Sequence, residues 1–184
     1  EFSLGNKNEA YKKLKKIFNK NRNNHLLRYN LAVIEQSLGL YEAAKQNYNF
    51  LIKNNNNYKA IINLYILNIK ESNYIYALNL INKLINDNYS TESIIKDKAF
   101  VLYKLKKYNE SIEICEKSLK KNNNLDFYNI LGLNYLSKKD FDKSEKIFKK
   151  ALEFEKNNAS ILNSLGRLYH EKRDSRNAEM FLLR

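Results

Sequence analysis

The residues with the greatest catalytic potential in this chain of 184 residues are one cysteine and two histidines. His25 and His170 lie far apart in the sequence, and neither has a partner at the spacing of a metal site. Cys115 occupies a position in an apolar pattern that Phe148 also occupies, which indicates a buried side chain rather than a nucleophile. None of the four glycines lies in a phosphate-binding loop. We therefore expect no enzyme activity, no metal and no cofactor.

A small residue recurs along the chain at intervals of 33 or 34 residues. Each occurrence lies in a run of apolar residues spaced i, i+3, i+4 and i+7, which is typical of an amphipathic helix. Two such runs per interval, separated by a short polar turn, predict helical hairpins stacked in a row and an all-α fold. The series consists of Ala10, Ala44, Ala77, Ser111, Ser144 and Ala178.

The interval predicts a single array over residues 1–184. It contains a half repeat at 1–24, full repeats at 25–57, 58–91, 92–124 and 125–158, and a truncated repeat at 159–184. Residues 1–3 align with residues 35–37 inside a first helix, and Arg184 falls inside a second helix. Because both ends cut through a repeat, we expect the chain to be a fragment of a longer array.

Asparagine-rich runs lie at the predicted junctions between repeats, for example at residues 54–57 and 122–124. Asparagine tolerates the left-handed backbone that often follows a helix C-terminus, so we expect these residues to end the preceding helices. Asp140 precedes the second helix of its repeat and is predicted to cap it.

The unit 125–158 resembles the tetratricopeptide repeat (TPR), a hairpin of 34 residues. The matching positions are Tyr128, Leu131, Gly132, Tyr135, Phe141, Ser144, Phe148 and Ala151. Gly132 and Gly166 fall where the two helices of a hairpin should cross most closely, and a small residue there leaves room for a facing side chain. The resemblance extends over essentially the whole chain and implies a right-handed superhelical solenoid of helix-turn-helix hairpins.

In TPR arrays the first helix of each hairpin lines a concave groove, so the resemblance implies a protein-interaction scaffold that binds a peptide or partner helix there. This face is apolar with aromatic residues and is interrupted by lysines in the repeats 58–91 and 92–124, which favours a partner with hydrophobic and acidic residues. The alternative is that several of these residues pack against neighbouring hairpins. The predicted groove residues are Tyr29, Asn30, Val33, Lys59, Asn63, Ile66, Lys70, Lys96, Phe100, Tyr103, Lys104, Asn129, Leu133 and Arg167, with Gln36, Ile62, Asp97, Leu136, Asn163 and His170 beside them.

Two binding schemes known from TPR proteins fit these positions poorly. The carboxylate clamp matches only at Asn63, and Asp97 would repel a carboxylate. The asparagine ladder matches at Asn30 and Asn63 but fails at three later positions.

The formal net charge of +13 at pH 7 supports a rival hypothesis of RNA binding. Most lysine pairs, however, fall on second helices and turns, whereas single-stranded RNA needs charge and aromatic side chains together. Nucleic acid is therefore not the favoured partner. Self-association through exposed repeat ends is a further alternative. The sequence has no run of 18 apolar residues, so no membrane insertion is expected, and a single cysteine fits a reducing, cytoplasmic compartment.

Overall fold

The structure is a computed structural model that describes residues 4–183, and the side chains of residues 6–183. All regular structure within this range is α-helical, which confirms the predicted all-α class. The predicted alignment of residues 1–3 and the assignment of Arg184 lie outside the described residues. The helices are α1 (Leu4–Lys20), α2 (His25–Ser37), α3 (Tyr41–Asn55), α4 (Tyr58–Lys70), α5 (Tyr74–Asn86), α6 (Glu92–Lys104), α7 (Tyr108–Leu119), α8 (Leu125–Ser137), α9 (Phe141–Phe154), α10 (Ala159–Glu171) and α11 (Ser175–Leu182).

The chain divides into two compact units, Glu1–Tyr89 and Ser90–Arg184. In the first, unit 1, α2 pairs with α3 and α4 pairs with α5, while α1 packs on α2 and α3 packs on α4. Ala44 and Ala77 are completely buried at the predicted small positions, together with the large side chains of Tyr48 and Ile81. The small residues therefore allow close contact between the helices of each hairpin.

The second, unit 2, contains the hairpins α6–α7, α8–α9 and α10–α11. Its first helices pack on one another in the order α6, α8, α10. The hydroxyls of Ser111 and Ser144 donate to the carbonyls of Ala99 and Gly132 at 2.8 and 2.9 Å. Each of these bonds joins the second helix of a hairpin to its first helix at the predicted small position, so the serine hydroxyl is buried with a partner.

The five hairpin turns share one backbone feature. Each contains a residue with a positive φ between 60° and 78°, and the next backbone N–H bonds to a carbonyl five residues earlier. This pattern is the Schellman ending of a helix, which places one residue in the left-handed region. Glycine adopts that region without a steric penalty, but four of the five turns use a residue with a β-carbon. The residues are Gly39, Ser72, Lys106, Lys139 and Arg173.

Most of the capping asparagines at the junctions between hairpins play a different role from the predicted one. Asn56 does have left-handed backbone, with φ of 42°. Four others instead begin the following helix, because their side-chain oxygens accept from the first backbone N–H groups of that helix. These N-caps are Asn24, Asn57, Asn124 and Asn158. Asp140 caps α9 as predicted, accepting from the N–H of Lys143 at 3.3 Å.

Candidate peptide-binding groove

Four predicted groove residues lie together in unit 1, around a cavity of about 310 Å³ that we call the α2/α4 cavity. They are Val33 on α2 and Asn63, Ile66 and Lys70 on α4. Tyr41 reaches the cavity from the start of α3. The full lining consists of Val33, Gln36, Ser37, Tyr41, Asn63, Ile66, Leu67 and Lys70.

The apolar part of the cavity is accessible to a ligand. Val33 is 39% exposed and Ile66 is 43% exposed, whereas the neighbouring Leu67 is buried. Two exposed branched side chains beside a buried leucine provide a surface that an apolar side chain of a partner could cover.

Lys70 supplies positive charge at the same cavity. Its ammonium lies 4.8 Å from the centroid of the Tyr41 ring and within 2.5 Å of the Tyr41 hydroxyl. The adjacent carboxylate, Glu71, is paired with Lys45 at 2.6 Å instead. Among the side chains of residues 6–183, no carboxylate lies within ion-pair distance of Lys70. A negatively charged group of a ligand could therefore pair with it.

Hydrogen bonds inside unit 1 fix the polar side chains of the cavity. Asn63 Nδ2 donates to the hydroxyls of Tyr29 and Tyr48 at 3.1 and 3.2 Å. The Tyr48 hydroxyl donates in turn to Gln36 Oε1 at 2.8 Å, and burial raises the pKa of Tyr48, which keeps the hydroxyl protonated. Asn63 has thus used both amide hydrogens, whereas the Nε2 group of Gln36 remains a donor for a ligand.

A second cavity of about 500 Å³, the α1/α2 cavity, lies beside the first and shares Val33 with it. Its lining is mostly apolar and includes Ile17, which is 50% exposed, as well as the predicted residue Asn30. We refer to the two cavities together as the unit 1 groove. The complete lining of the second cavity is Ala10, Lys13, Leu14, Ile17, Asn30, Val33 and Ile34.

Two predicted groove residues of unit 1 lie outside the lining of both cavities. Tyr29 is half-buried, with its ring tilted against that of Tyr48 at 6.2 Å, and Lys59 is exposed at the start of α4. Conversely, Tyr41 and Ile17 line the groove but were not among the predicted residues. Tyr41 begins a second helix, and the resemblance assigns the groove to first helices only.

In unit 2 two predicted groove residues, Asn129 and Lys96, contact polar side chains of the same unit. Asn129 Nδ2 donates to Ser160 at 2.9 Å, and Ser164 donates to Asn129 Oδ1 at 2.7 Å, so this side chain joins α8 to α10. Lys96 lies 3.5 Å from a carboxylate oxygen of Asp126. The amide of Asn129 is therefore used within the protein, as the alternative interpretation proposed.

The other predicted residues of unit 2 range from exposed to buried. Lys104 is exposed, and its ammonium lies 5.3 and 5.8 Å from the ring centroids of Phe100 and Tyr103. Leu133 packs against the core cluster, and Arg167 is exposed. The prediction that Leu136 lies on the groove face is wrong. Leu136 is only 4% exposed because it packs in that cluster.

A buried polar network in unit 1 was not foreseen from the sequence. Glu35 is 3% exposed, and Asn47 Nδ2 donates to its carboxylate at 2.8 Å. Arg28 donates to Asn47 Oδ1 at 3.0 Å, and its guanidinium lies 3.7 Å from the centroid of the Phe50 ring. Burial raises the pKa of Glu35, while the Asn47 hydrogen bond and the charge of Lys15 oppose the shift. The helical pattern conceals this network because charged residues are normally assigned to solvent.

The described residues provide no metal site of three or more histidine, cysteine or acidic side chains. Cys115 is completely buried, as predicted, and burial raises the pKa of its thiol to about 12. The reactive thiolate is therefore disfavoured. Over residues 4–183, each helix is too short or too polar to cross a bilayer.

Two family models match the chain as tetratricopeptide repeat, one over residues 125–158 and the other over residues 147–180. Residues 125–180 of this chain carry tetratricopeptide repeats. No curated protein sequence matches it at a significant level.

Solved TPR structures resemble the chain as a whole. A TPR protein from Parabacteroides merdae ATCC 43184 shares 19% identity with a TM-score of 0.88, covering 96% of this chain and 71% of that one. MamA from Desulfovibrio magneticus RS-1 shares 19% identity with a TM-score of 0.73, covering 86% and 91%. YrrB, described as a TPR protein with an unusual peptide-binding site, shares 16% identity with a TM-score of 0.66, covering 91% and 88%. At these identities the likeness establishes the TPR fold.

Proposed function

We propose that this TPR array is a non-catalytic scaffold that binds a peptide or a partner helix in the unit 1 groove. The observation that carries the proposal is the α2/α4 cavity, where exposed Val33 and Ile66 lie beside the ammonium of Lys70. An apolar anchor and an acidic group close together in a partner would complement these features. The peptide-binding site described for the structurally similar YrrB supports this type of function.

The chemistry of the groove specifies the partner further. An apolar side chain of the partner would cover Val33 and Ile66, and a neighbouring carboxylate would pair with Lys70. The Nε2 group of Gln36 would donate to a partner carbonyl, because its Oε1 already accepts from Tyr48. The apolar α1/α2 cavity would hold a second anchor, since it shares Val33 with the first.

The test selects binding peptides from a random library displayed on phage, using the full chain, and then measures the affinity of the selected peptides by fluorescence anisotropy. We expect an acidic residue near an apolar one in the selected peptides. Ile66→Asp and Lys70→Glu should each weaken binding about tenfold or more. Lys59→Glu is the matched control, because Lys59 is exposed on the same helix but lines neither cavity.

Circular dichroism would verify that each variant remains helical. Equal affinity of the parent, Ile66→Asp and Lys70→Glu would refute the proposed groove. Selected peptides without acidic residues would refute the assigned role of Lys70.

Self-association is the second candidate, and one feature of unit 2 favours it. Met180, Leu182 and Leu183, in and just after α11, are between 50% and 80% exposed. A second copy of the chain could cover this apolar surface. Light scattering over a concentration series would support this role if the mass doubled with concentration, and a constant monomer mass would exclude it.

A further inference from the structure

The hairpin turns of unit 2 carry consecutive basic residues that the proposed groove does not use. The turns of unit 1, at residues 38–40 and 71–73, contain no lysine or arginine. Positive charge at the turns is thus a property of unit 2. The pairs are Lys106-Lys107, Lys138-Lys139 and Lys172-Arg173.

One member of each basic pair has a partner within the protein. Lys107 pairs with Glu110 at 3.1 Å, and Lys138 donates to Asn109 Oδ1 at 2.7 Å. Lys172 pairs with Glu145 at 2.8 Å. The contacts of Lys138 and Lys172 each cross from one hairpin to the preceding one, so they hold neighbouring turns together.

The other members of the pairs, Lys106, Lys139 and Arg173, form what we call the basic row. They occupy equivalent left-handed positions, with φ of 60°, 61° and 60°, and all three are exposed. Within the described part of the chain, none of them has a carboxylate at ion-pair distance. Three cations that form no ion pair with the described residues therefore lie at the same place in successive turns.

The repeat sets the spacing of the basic row. Its turns follow α6, α8 and α10, which pack on one another in that order. Packed helices lie about 8–10 Å apart, so successive cations of the row should be separated by about 10 Å. A polypeptide in the polyproline II conformation has three residues per turn and rises about 3.1 Å per residue, so side chains three residues apart lie on one face at about the same distance.

From this match we propose that the basic row binds an extended acidic segment of a partner protein, with a carboxylate at every third residue. This surface belongs to unit 2 and is separate from the unit 1 groove. Each carboxylate would pair with one cation of the row, and the two residues between carboxylates would span the distance between turns.

Two observations favour a polypeptide over RNA or an anionic membrane. The aromatic rings near the row already contact other side chains of the protein. The ring centroids of Tyr108 and Tyr103 are 6.2 Å apart, and the Lys143 ammonium lies over the Tyr135 ring. Single-stranded RNA would need exposed rings for stacking. In addition, the capping carboxylates of Asp140 and Asp174 follow Lys139 and Arg173 directly, and they would repel a continuous polyanion. A peptide with neutral spacers avoids this repulsion.

The test uses the full chain and a fluorescein-labelled peptide with glutamate at every third position between glycine and serine spacers. A peptide of the same composition with contiguous glutamates is the comparison. The variant Lys106→Gly/Lys139→Gly/Arg173→Gly removes the basic row and also the steric penalty of a β-carbon at positive φ, so it should fold at least as well as the parent. Lys120→Gln/Lys121→Gln/Lys156→Gln is the control, because it removes the same charge from exposed junction residues of unit 2.

By fluorescence anisotropy at about 0.1 M salt, we expect the glycine variant to raise the Kd of the spaced peptide roughly tenfold, and the control to leave it nearly unchanged. The spaced peptide should bind more tightly than its contiguous isomer. If both variants bound the spaced peptide equally weakly, the loss would be due to net charge alone, and the proposal would be overturned. It would also be overturned by equal affinity for the two peptides, by tighter binding to poly-uridine or to phosphatidylserine vesicles, or by a lower Tm in the glycine variant.

Discussion

The ring of Phe148 lies so close to the backbone of Gly132 that a β-carbon at residue 132 would be 2.4 Å from Phe148 Cε1. Phe148 is completely buried, and the adjacent Ser144 donates to the Gly132 carbonyl at 2.9 Å. The glycine thus allows the two helices of the α8–α9 hairpin to approach closely. Glycine within a helix is less favourable than alanine by about 0.5–1 kcal/mol, but alanine at residue 132 would prevent this close contact.

Gly132→Ala should therefore destabilise the protein, although alanine is the better helix former. We expect a loss of about 1–3 kcal/mol in the free energy of unfolding, measured with urea. Gly166→Ala is the matched control. Its β-carbon would meet Leu182, whose side chain is 57% exposed and can move away, so we expect little or no loss. Equal stability of the two variants would contradict the packing described here.

Phe148→Ala should cost about 3–5 kcal/mol, because it removes a large buried side chain from the core of unit 2. The double variant Gly132→Ala/Phe148→Ala should lose less than the sum of the two single losses, since the new methyl group then enters the space vacated by the ring. Additive losses in urea unfolding would show that residues 132 and 148 do not interact.

Replacing a left-handed lysine with glycine should stabilise its hairpin turn. Lys139→Gly removes a β-carbon at φ of 61°, and we expect a gain of about 1 kcal/mol in the free energy of unfolding. Lys138→Gly provides the comparison and should lose stability, because Lys138 has φ of −82°, where glycine relieves no steric penalty, and its hydrogen bond to Asn109 is removed. If both variants lost stability in chemical denaturation, the assigned turn geometry would be wrong.

Glu35→Gln should stabilise unit 1 near neutral pH. Burial raises the pKa of Glu35 above its ordinary value of 4.5, so the protonated carboxyl favours the folded state. Its contribution to stability is complete below the unfolded-state pKa and is lost as the pH rises through the folded-state pKa. The difference in Tm between variant and parent should therefore grow with pH above about 4 and vanish below it. A difference independent of pH would exclude this explanation.

Glu145 should show the opposite dependence. Although burial raises its pKa, hydrogen bonds from Lys149, Lys172 and Tyr169 lower the pKa to about 2. Its contribution to stability is complete above the unfolded-state pKa and is lost as the pH falls toward 2. Glu145→Gln should cost about 1–3 kcal/mol at pH 7 in urea unfolding, and progressively less between pH 4 and 2. Glu153→Gln, exposed on the same helix, should have little effect.

The sequence reveals those features of the fold that recur with the repeat. The buried small residues from Ala44 to Ala178, the cap at Asp140 and the buried Cys115 each follow from a recurring position, and the structure confirms them, whereas Ala10 is only partly buried. The buried polar network around Glu35 does not recur in this way. It forms because Asn47 of α3 donates to the Glu35 carboxylate and accepts from Arg28, both on α2, and a helical period does not encode such a contact between two helices.

The candidate groove was foreseen only in part, for a similar reason. Val33, Ile66 and Lys70 come together because α2 and α4, the first helices of successive hairpins, line one cavity, as the resemblance implies. Asn129 occupies a corresponding face, but Ser160 and Ser164 happen to satisfy its amide. Whether a polar side chain is available to a ligand depends on such neighbours, and therefore on the coordinates rather than on the pattern.

The asparagine N-caps have a consequence for the chemical ageing of this protein. Each of them, at residues 24, 57, 124 and 158, uses its side-chain oxygen as the acceptor. Deamidation to aspartate retains an oxygen acceptor, and aspartate caps helices about as well as asparagine. The new negative charge would also interact favourably with the helix dipole. At Asn24 and Asn57, hydrolysis to aspartate would thus lower the net positive charge of the protein while keeping the start of the helix intact. At Asn124 and Asn158 it would instead place a new carboxylate against Glu92 and Glu155, to which these amides donate.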